Sequence, residues 1–322
     1  MALAIAMVLG GLAALAWSSD TFVDGAATLA RLFGISPFVV GMVIIGFGTS
    51  APELCVSALS SFAGHSNLSL GNAYGSCIFN IVVILGVASL IRPLAVKPGI
   101  VFIGAPALTA ITCISYVLLR NGVCGRFESL VLLGLFAVLL PVYCWLDQKG
   151  KPKEDSLAQP SRDGGAGAAA IKTLVGLAVL VGSSHVLVWG SVSIAHSLHV
   201  SDLLIGLTII AVGTSLPELA SAIASARRGE TELVLGNIIG SNFFNTLAVV
   251  GLAGTICPIR DFSKWILLRD LPLMALASLS IIVFGINLRK PREEGMIGRV
   301  AGLLWILSFV AYTGLMLYQE TR

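Results

Sequence analysis

Apolar runs of about 20 residues, the length of a membrane-crossing helix, follow one another along this 322-residue chain, separated by short polar turns. Ten such runs stand out, over roughly 2–30, 37–62, 68–91, 100–119, 127–146, 171–197, 202–226, 233–256, 266–287 and 297–318. None shows the ten-residue alternation of a barrel strand. Backbone in lipid must bond within its own segment, so the expected class is an all-α polytopic membrane protein of about ten transmembrane helices. The first run has no basic stretch before it and no small-residue cleavage motif after it, and reads as a retained helix.

One polar interruption differs from the rest. Residues 147–170, DQKGKPKEDSLAQPSRDGGAGAAA, are charged and rich in Pro and Gly. That composition predicts a flexible tether, shorter than the roughly 50 residues of a small folded domain. It leaves five runs in 1–146 and five in 171–322. The two parts also repeat in sequence. GMVIIGFGTSAPELCVSALSSFAGHSNLSLGNAYGSCIFN (41–80) aligns without a gap at an offset of 165 with GLTIIAVGTSLPELASAIASARRGETELVLGNIIGSNFFN (206–245). Five crossings is an odd number, so the second half enters from the opposite face. The duplication is then an inverted repeat about a pseudo-two-fold axis in the membrane plane.

Charge assigns the sides. Of the 20 Lys and Arg residues, 14 fall on the loops and margins of one face when the crossings are followed, and 6 on the other. The richer face is expected to be cytoplasmic, with the tether, and both termini outside. The composition, 56% hydrophobic and 11% charged, excludes an ordinary globular domain and gives no reason to expect a nucleic-acid partner. The six cysteines show no CxxC spacing, so neither a metal knot nor a disulfide framework is expected.

Each repeat places a glutamate inside an apolar run: Glu53 in GTSAPE (48–53) and Glu218 in GTSLPE (213–218). A carboxylate at bilayer depth costs about 2.5–3.5 kcal/mol even on the lenient insertion scale. The proline just before it cannot donate to the ladder, so the carbonyl of Gly48, and likewise of Gly213, is left free for another partner such as a dehydrated cation. Thr49 and Ser50 stand four and three residues before Glu53, which puts their oxygens on its side of a helix; Thr214 and Ser215 repeat this for Glu218. On the following runs Asn72, Ser76 and Asn80 form an i, i+4, i+8 stripe matched by Asn237, Ser241 and Asn245. Glutamate, hydroxyl and amide groups together offer a dozen side-chain oxygens, more than the about 6–8 that one Ca²⁺ takes. Several overlapping sites for hard cations fit better than one, and the lack of a repeated His or Cys argues against zinc or copper. With both glutamates ionised, one Ca²⁺ or two Na⁺ would neutralise the cluster, and mutually exclusive occupancy is what antiport requires. The glycine pairs Gly71/Gly75 and Gly236/Gly240 read as close helix packing. Asp20 and Asp24 read as helix-margin or interface charges, and Arg269 and Asp270 as interfacial ones.

GTSAPE with GNAYGSCIFN (71–80), and GTSLPE with GNIIGSNFFN (236–245), resemble the cation/calcium antiporter superfamily, and within it the sodium/calcium exchangers, especially bacterial inner-membrane members related to the potassium-dependent branch. The resemblance covers both halves. It implies a ten-helix fold with four cation sites between the repeats, no resident cofactor, and Ca²⁺ and Na⁺ as cargo. Carried onto this chain, Glu53 and Glu218 would be shared central ligands, flanked by Thr49, Ser50, Thr214, Ser215, Ser76 and Ser241. The carbonyls of Gly46 and Ala211 would serve outlying Na⁺ sites, Asn80 would line the middle, and the first and sixth helices would slide across the rest. Many exchangers have an aspartate where Asn245 stands, so the amide bears on proton competition, Na⁺ number and electrogenicity. A calcium/proton exchanger is the alternative, although that branch usually carries a GNxxE-type element instead of GTSxPE; a cation channel is a further one. An intramembrane hydrolase lacks its nucleophile motif, since neither GxSxG nor GxGD occurs.

Overall fold

The computed structural model describes residues 2–62, 66–149, 165–197, 211–260 and 262–320. Its helices are α1 (Ala2–Phe33), α2 (Pro37–Thr49), α3 (Ala51–Phe62), α4 (Ser69–Ile91), α5 (Ile100–Leu119), α6 (Arg126–Lys149), α7 (Ala166–Ser197), α8 (Ala211–Gly213), α9 (Leu216–Arg228), α10 (Thr231–Ile256), α11 (Ile266–Gly285) and α12 (Arg299–Glu320). Among the described residues eight helices are long and apolar enough to cross a membrane, and the bent pair α2–α3 makes a ninth. The pair α8–α9 falls in the expected seventh run, whose start (202–210) lies outside the described residues, as does most of the expected tether, 150–164. Helix extends into that tether from both ends, to Lys149 and from Ala166.

Two short strand pairs, not anticipated from the helical pattern, tie the loops together. Leu94–Val96 (β1) runs antiparallel to Gly295–Ile297 (β4), and Val123–Cys124 (β2) to Ile259–Arg260 (β3). β1 and β3 are the equivalent loops of the two halves, so each pair joins one half to the other. On a ten-crossing path the two pairs fall on opposite faces, as an inverted repeat requires.

The pseudo-symmetry is sharpest between α1 and α7, which pack along their lengths. A Cβ on Gly176 would lie 2.6 Å from the backbone nitrogen of Phe22, and one on Gly11 would lie 3.0 Å from the Cβ of Leu187. Each contact is the other moved by 165 positions. Gly25 against Thr173 and Gly190 against Val8 form a second such pair. Lipid offers helices no hydrophobic drive to associate, so close backbone approach through small residues supplies the contact. Gly176→Ala should therefore strain the interface by about 1–3 kcal/mol and lower the melting temperature of the purified protein. Gly182→Ala, on the same helix but with nothing within 4 Å, should leave it unchanged.

α10 is buried along its whole length and α4 over most of it; these two helices form the centre, and they carry the Asn/Ser stripes. Gly236 and Gly240 meet the backbone of Phe38 and Met42 closely enough to exclude any side chain, whereas Gly71 and Gly75, expected to pack in the same way, are exposed with nothing within 4 Å. At one end of the molecule Asp24 accepts hydrogen bonds from Lys172 at 3.0 Å and Arg228 at 2.9 Å, while Arg31 pairs with Glu230 and Lys97 with Glu232. These four cations are among those the crossing count assigns to a single face. Arg269 and Asp270 are less interfacial than expected. Their side chains are only 12% exposed, clamped to each other at 2.6 Å and to Gln319 and Tyr312 of α12. Burial demands such pairing, because a charge left alone there is costly.

Candidate functional site

Local backbone chemistry builds the centre of the site. α2 ends at Thr49 and α3 begins at Ala51, with a 43° bend between them. The hinge residue Ser50 has φ −83°, ψ 2°, and its repeat Ser215 has φ −92°, ψ 8°. Both sit in the sparsely populated bridge region between helix and strand. Pro52 and Pro217 follow in the first turn of the new helix, where proline is well tolerated; of the two carbonyls expected to be freed, that of Gly213 accepts from Ser184 Oγ at 3.0 Å rather than standing open to a cation. The ladder resumes at once, Leu54 N–H donating to the Ser50 carbonyl and Leu219 N–H to that of Ser215, each at 3.1 Å. A serine at this position ordinarily caps its own helix, but Ser215 makes no such bond.

The hydroxyls instead cross to the other repeat. Ser50 Oγ donates to Glu218 Oε1 at 3.2 Å, and Ser215 Oγ donates to Glu53 Oε1 at 3.4 Å. Thr49 stands against Glu218 and Thr214 against Glu53 in the same exchanged sense. The spacing along one helix had suggested that Thr49 and Ser50 gather around their own Glu53. The break at Ser50 turns them outward to the partner glutamate, and that correction knits the halves into one site. Ser215 Oγ also lies 3.2 Å from Ser76 Oγ, from which it can accept. Ser241 Oγ donates to the Gly46 carbonyl at 3.4 Å. Ala211 opens α8, and its side chain lies outside the described residues.

Glu53, Glu218, Thr49, Ser50, Ser241, Asn80 and Asn245 are fully buried, and Ser215 and Ser76 nearly so. Among the described residues no Lys, Arg or His pairs with either glutamate. Among the described residues, the second oxygen of each glutamate, Asn80 Oδ1 and both amide atoms of Asn245 have no hydrogen-bond partner. Buried polar atoms are almost always satisfied, so a cluster of unpaired oxygens in one place indicates something absent from the protein's own complement. Two carboxylates without a counter-charge point to a cation. The donor set is carboxylate, hydroxyl, amide and carbonyl, which suits hard cations. Among the described residues no three His, Cys, Asp or Glu side chains gather, so a site of the zinc type is not formed there.

Wide π turns begin at Asn80 and one residue before Asn245. Such turns re-aim side chains and recur at functional sites. Two asparagines outside the expected ligand set complete the arrangement. Asn237 Nδ2 donates to the Glu218 carbonyl at 3.4 Å and to Ser221 Oγ at 3.3 Å, while its Oδ1 lies 3.4 Å from the hydroxyls of Thr49 and Ser241. Asn72 repeats the first half of this, donating to the Glu53 carbonyl and to Ser57. Their membership of the repeated stripe was the available signal. Asn242 and Cys77, which meet across the pseudo-two-fold axis, gave none because they differ between the repeats.

The chain matches the sodium/calcium exchanger protein family over residues 3–145 and again over 169–318, one match per half. It is 38% identical over 317 residues to the putative antiporter CaxA of Alkalimonas amylolytica, covering 97% of this chain and 98% of that protein. It is 34% identical to the inner membrane protein YrbG of Escherichia coli, over 98% and 97% of the two chains. Its fold superposes on the sodium-calcium exchanger NCX_Mj with a TM-score of 0.83 at 28% identity, covering 97% of this chain and 98% of that one. The family is one of transporters, and the expected polytopic, duplicated fold is the one found in NCX_Mj. With two copies of the family signature and a fold matched over nearly its full length, the chain belongs to the sodium/calcium exchanger protein family.

Proposed function

We propose that the protein is a secondary-active antiporter exchanging Ca²⁺ for Na⁺ by alternating access. The observation that carries this reading is the pair of buried glutamates, one per repeat, each bonded by the serine of the other and each with an oxygen left over. Glu53 and Glu218 would be the ligands that Ca²⁺ and Na⁺ share, with Thr49, Ser50, Thr214, Ser215, Ser76 and Ser241 around them. The Gly46 and Ala211 carbonyls would extend the cluster to outlying Na⁺ positions, and Asn80 and Asn245 would line its middle. The formal charge of two glutamates is met equally by one Ca²⁺ or two Na⁺, so each load would displace the other. Close packing of α1 on α7 through glycines supports their moving as one body across the rest. NCX_Mj, structures of which were soaked with Na⁺ and Sr²⁺ or Ca²⁺, supports the choice of cargo. The name of YrbG supports an inner-membrane location, and the charge asymmetry supports both termini outside. The domain reading is two five-helix halves, 1–146 and 171–322, joined by a cytoplasmic tether.

The test is Ca²⁺ flux into proteoliposomes under separately imposed Na⁺, K⁺ and pH gradients. Uptake driven by an outward Na⁺ gradient at fixed pH is the expected result. Uptake that follows the pH gradient and ignores Na⁺ would replace this reading with calcium/proton exchange, and unitary currents without counter-ion dependence would make the protein a channel.

A further inference from the structure

We infer that Asn242 is a positioning residue: it fixes which amide atom Asn80 turns toward the cation cluster, whereas only a thiol stands in the equivalent place beside Asn245. The inference rests on the exchanger reading of that cluster. The relay begins at a backbone carbonyl. The Cys77 carbonyl accepts hydrogen bonds and cannot donate them, so the atom of Asn242 lying 3.3 Å from it is the amide nitrogen. The other end of Asn242 is therefore its oxygen, an acceptor only. That oxygen lies 3.0 Å from Asn80, whose facing atom must in turn be Nδ2. The remaining atom of Asn80 is then Oδ1, which is fully buried and without a hydrogen-bond partner. One carbonyl thus sets two amides in sequence, and the relay ends with a bare oxygen available to a cation.

The second repeat breaks this relay. At the offset of 165 the counterpart of Asn242 is Cys77, and the two meet each other, Cys77 Sγ donating to the Asn242 carbonyl at 3.8 Å. The Cys77 thiol lies 3.6 Å from Thr246 Oγ1 and stands against Asn245, but a thiol is both a weak donor and a weak acceptor and does not select one end of an amide. Asn245 accordingly makes no hydrogen bond through either amide atom among the described residues. The site pairs one amide held by an amide with its oxygen inward and one faced only by a thiol, although the asparagines are identical in the two repeats.

Cation-dependent thermal unfolding of the purified full-length protein, titrated separately with CaCl₂ and NaCl, tests this. Partners that orient a metal ligand typically contribute about 10–100-fold in affinity. Asn242→Ala should lower the apparent affinity at least about tenfold, Asn80→Ala should lower it as much or more, and the double variant should match Asn80→Ala alone. A merely structural role for Asn242 would shift the cation-free melting temperature and add to the Asn80 loss. If Asn242→Ala does not assemble, Asn242→Cys, which copies its counterpart, takes its place. Multiplying losses, or unaltered affinity in Asn80→Ala or Asn242→Ala, would overturn the inference while leaving the exchanger reading intact. A wild-type protein stabilised by neither ion would overturn both.

Discussion

Glu53→Gln and Glu218→Gln should each abolish Ca²⁺ exchange while leaving the protein folded in the membrane. Glutamine keeps the shape of glutamate and still accepts a hydrogen bond, so Ser215 and Ser50 retain their partners across the repeats. What is lost is the charge. Removing one member of a buried charge pair, here the carboxylate opposite the bound ion, costs about 3–5 kcal/mol, a loss of more than about 100-fold in affinity. The ion-free protein should respond in the opposite sense. It buries two carboxylates with no Lys or Arg paired to them among the described residues, and each substitution removes one such burden. The melting temperature without ions should therefore rise or hold, and the Ca²⁺-induced increase should vanish. Were these glutamates only helix glue, the variants would lose stability and keep transport. Flux and melting measured on the same preparations separate the two cases.

Much of this architecture is legible in the chain. Ten apolar runs, the gapless repeat at an offset of 165 and the odd number of crossings per half lead to an inverted duplication without reference to any structure. The repeated GTSxPE and Asn/Ser stripes lead to the residues that converge. What the pattern could not supply is the direction in which individual side chains turn. Helical spacing places Ser50 over Glu53, yet one residue in the bridge region between two helices redirects it to Glu218. That exchange makes the site depend on both halves at once, and no periodicity within a single helix encodes it. Asn242 was illegible for a different reason. Repeat comparison finds what the halves share, whereas Asn242 acts through its difference from Cys77. The loop strands were missed because two or three residues carry too little alternation to stand out from a turn. The clamp at Arg269 was hidden because its partners, Tyr312 and Gln319, lie more than forty residues on in a separate helix.

The two halves agree at Asn80 and Asn245, and Asn245→Asp tests what that agreement does for coupling. Asn245 is fully buried, and among the described residues neither amide atom is occupied by a hydrogen bond. Aspartate has the same size, so the packing survives and the change is electrical. With two glutamates ionised, one Ca²⁺ or two Na⁺ balances the cluster; a third carboxylate leaves either load one positive charge short. The deficit can be met by a third Na⁺ or by a proton on the new group, and the amide admits no such proton. The sign with pH follows. At the acid end the aspartate is neutral, and the variant should need Na⁺ with the same steepness as the parent. At the alkaline end it is charged, and the variant should need more Na⁺ per Ca²⁺, with a steeper Na⁺ dependence and more charge moved per cycle. The measurement is the ratio of variant to parent exchange across pH, with current recorded on supported proteoliposomes, which cancels any titration the two proteins share. A ratio that does not change with pH would mean that Asn245 faces away from the ions, and the even charge balance of the cluster would then have to come from elsewhere in the site.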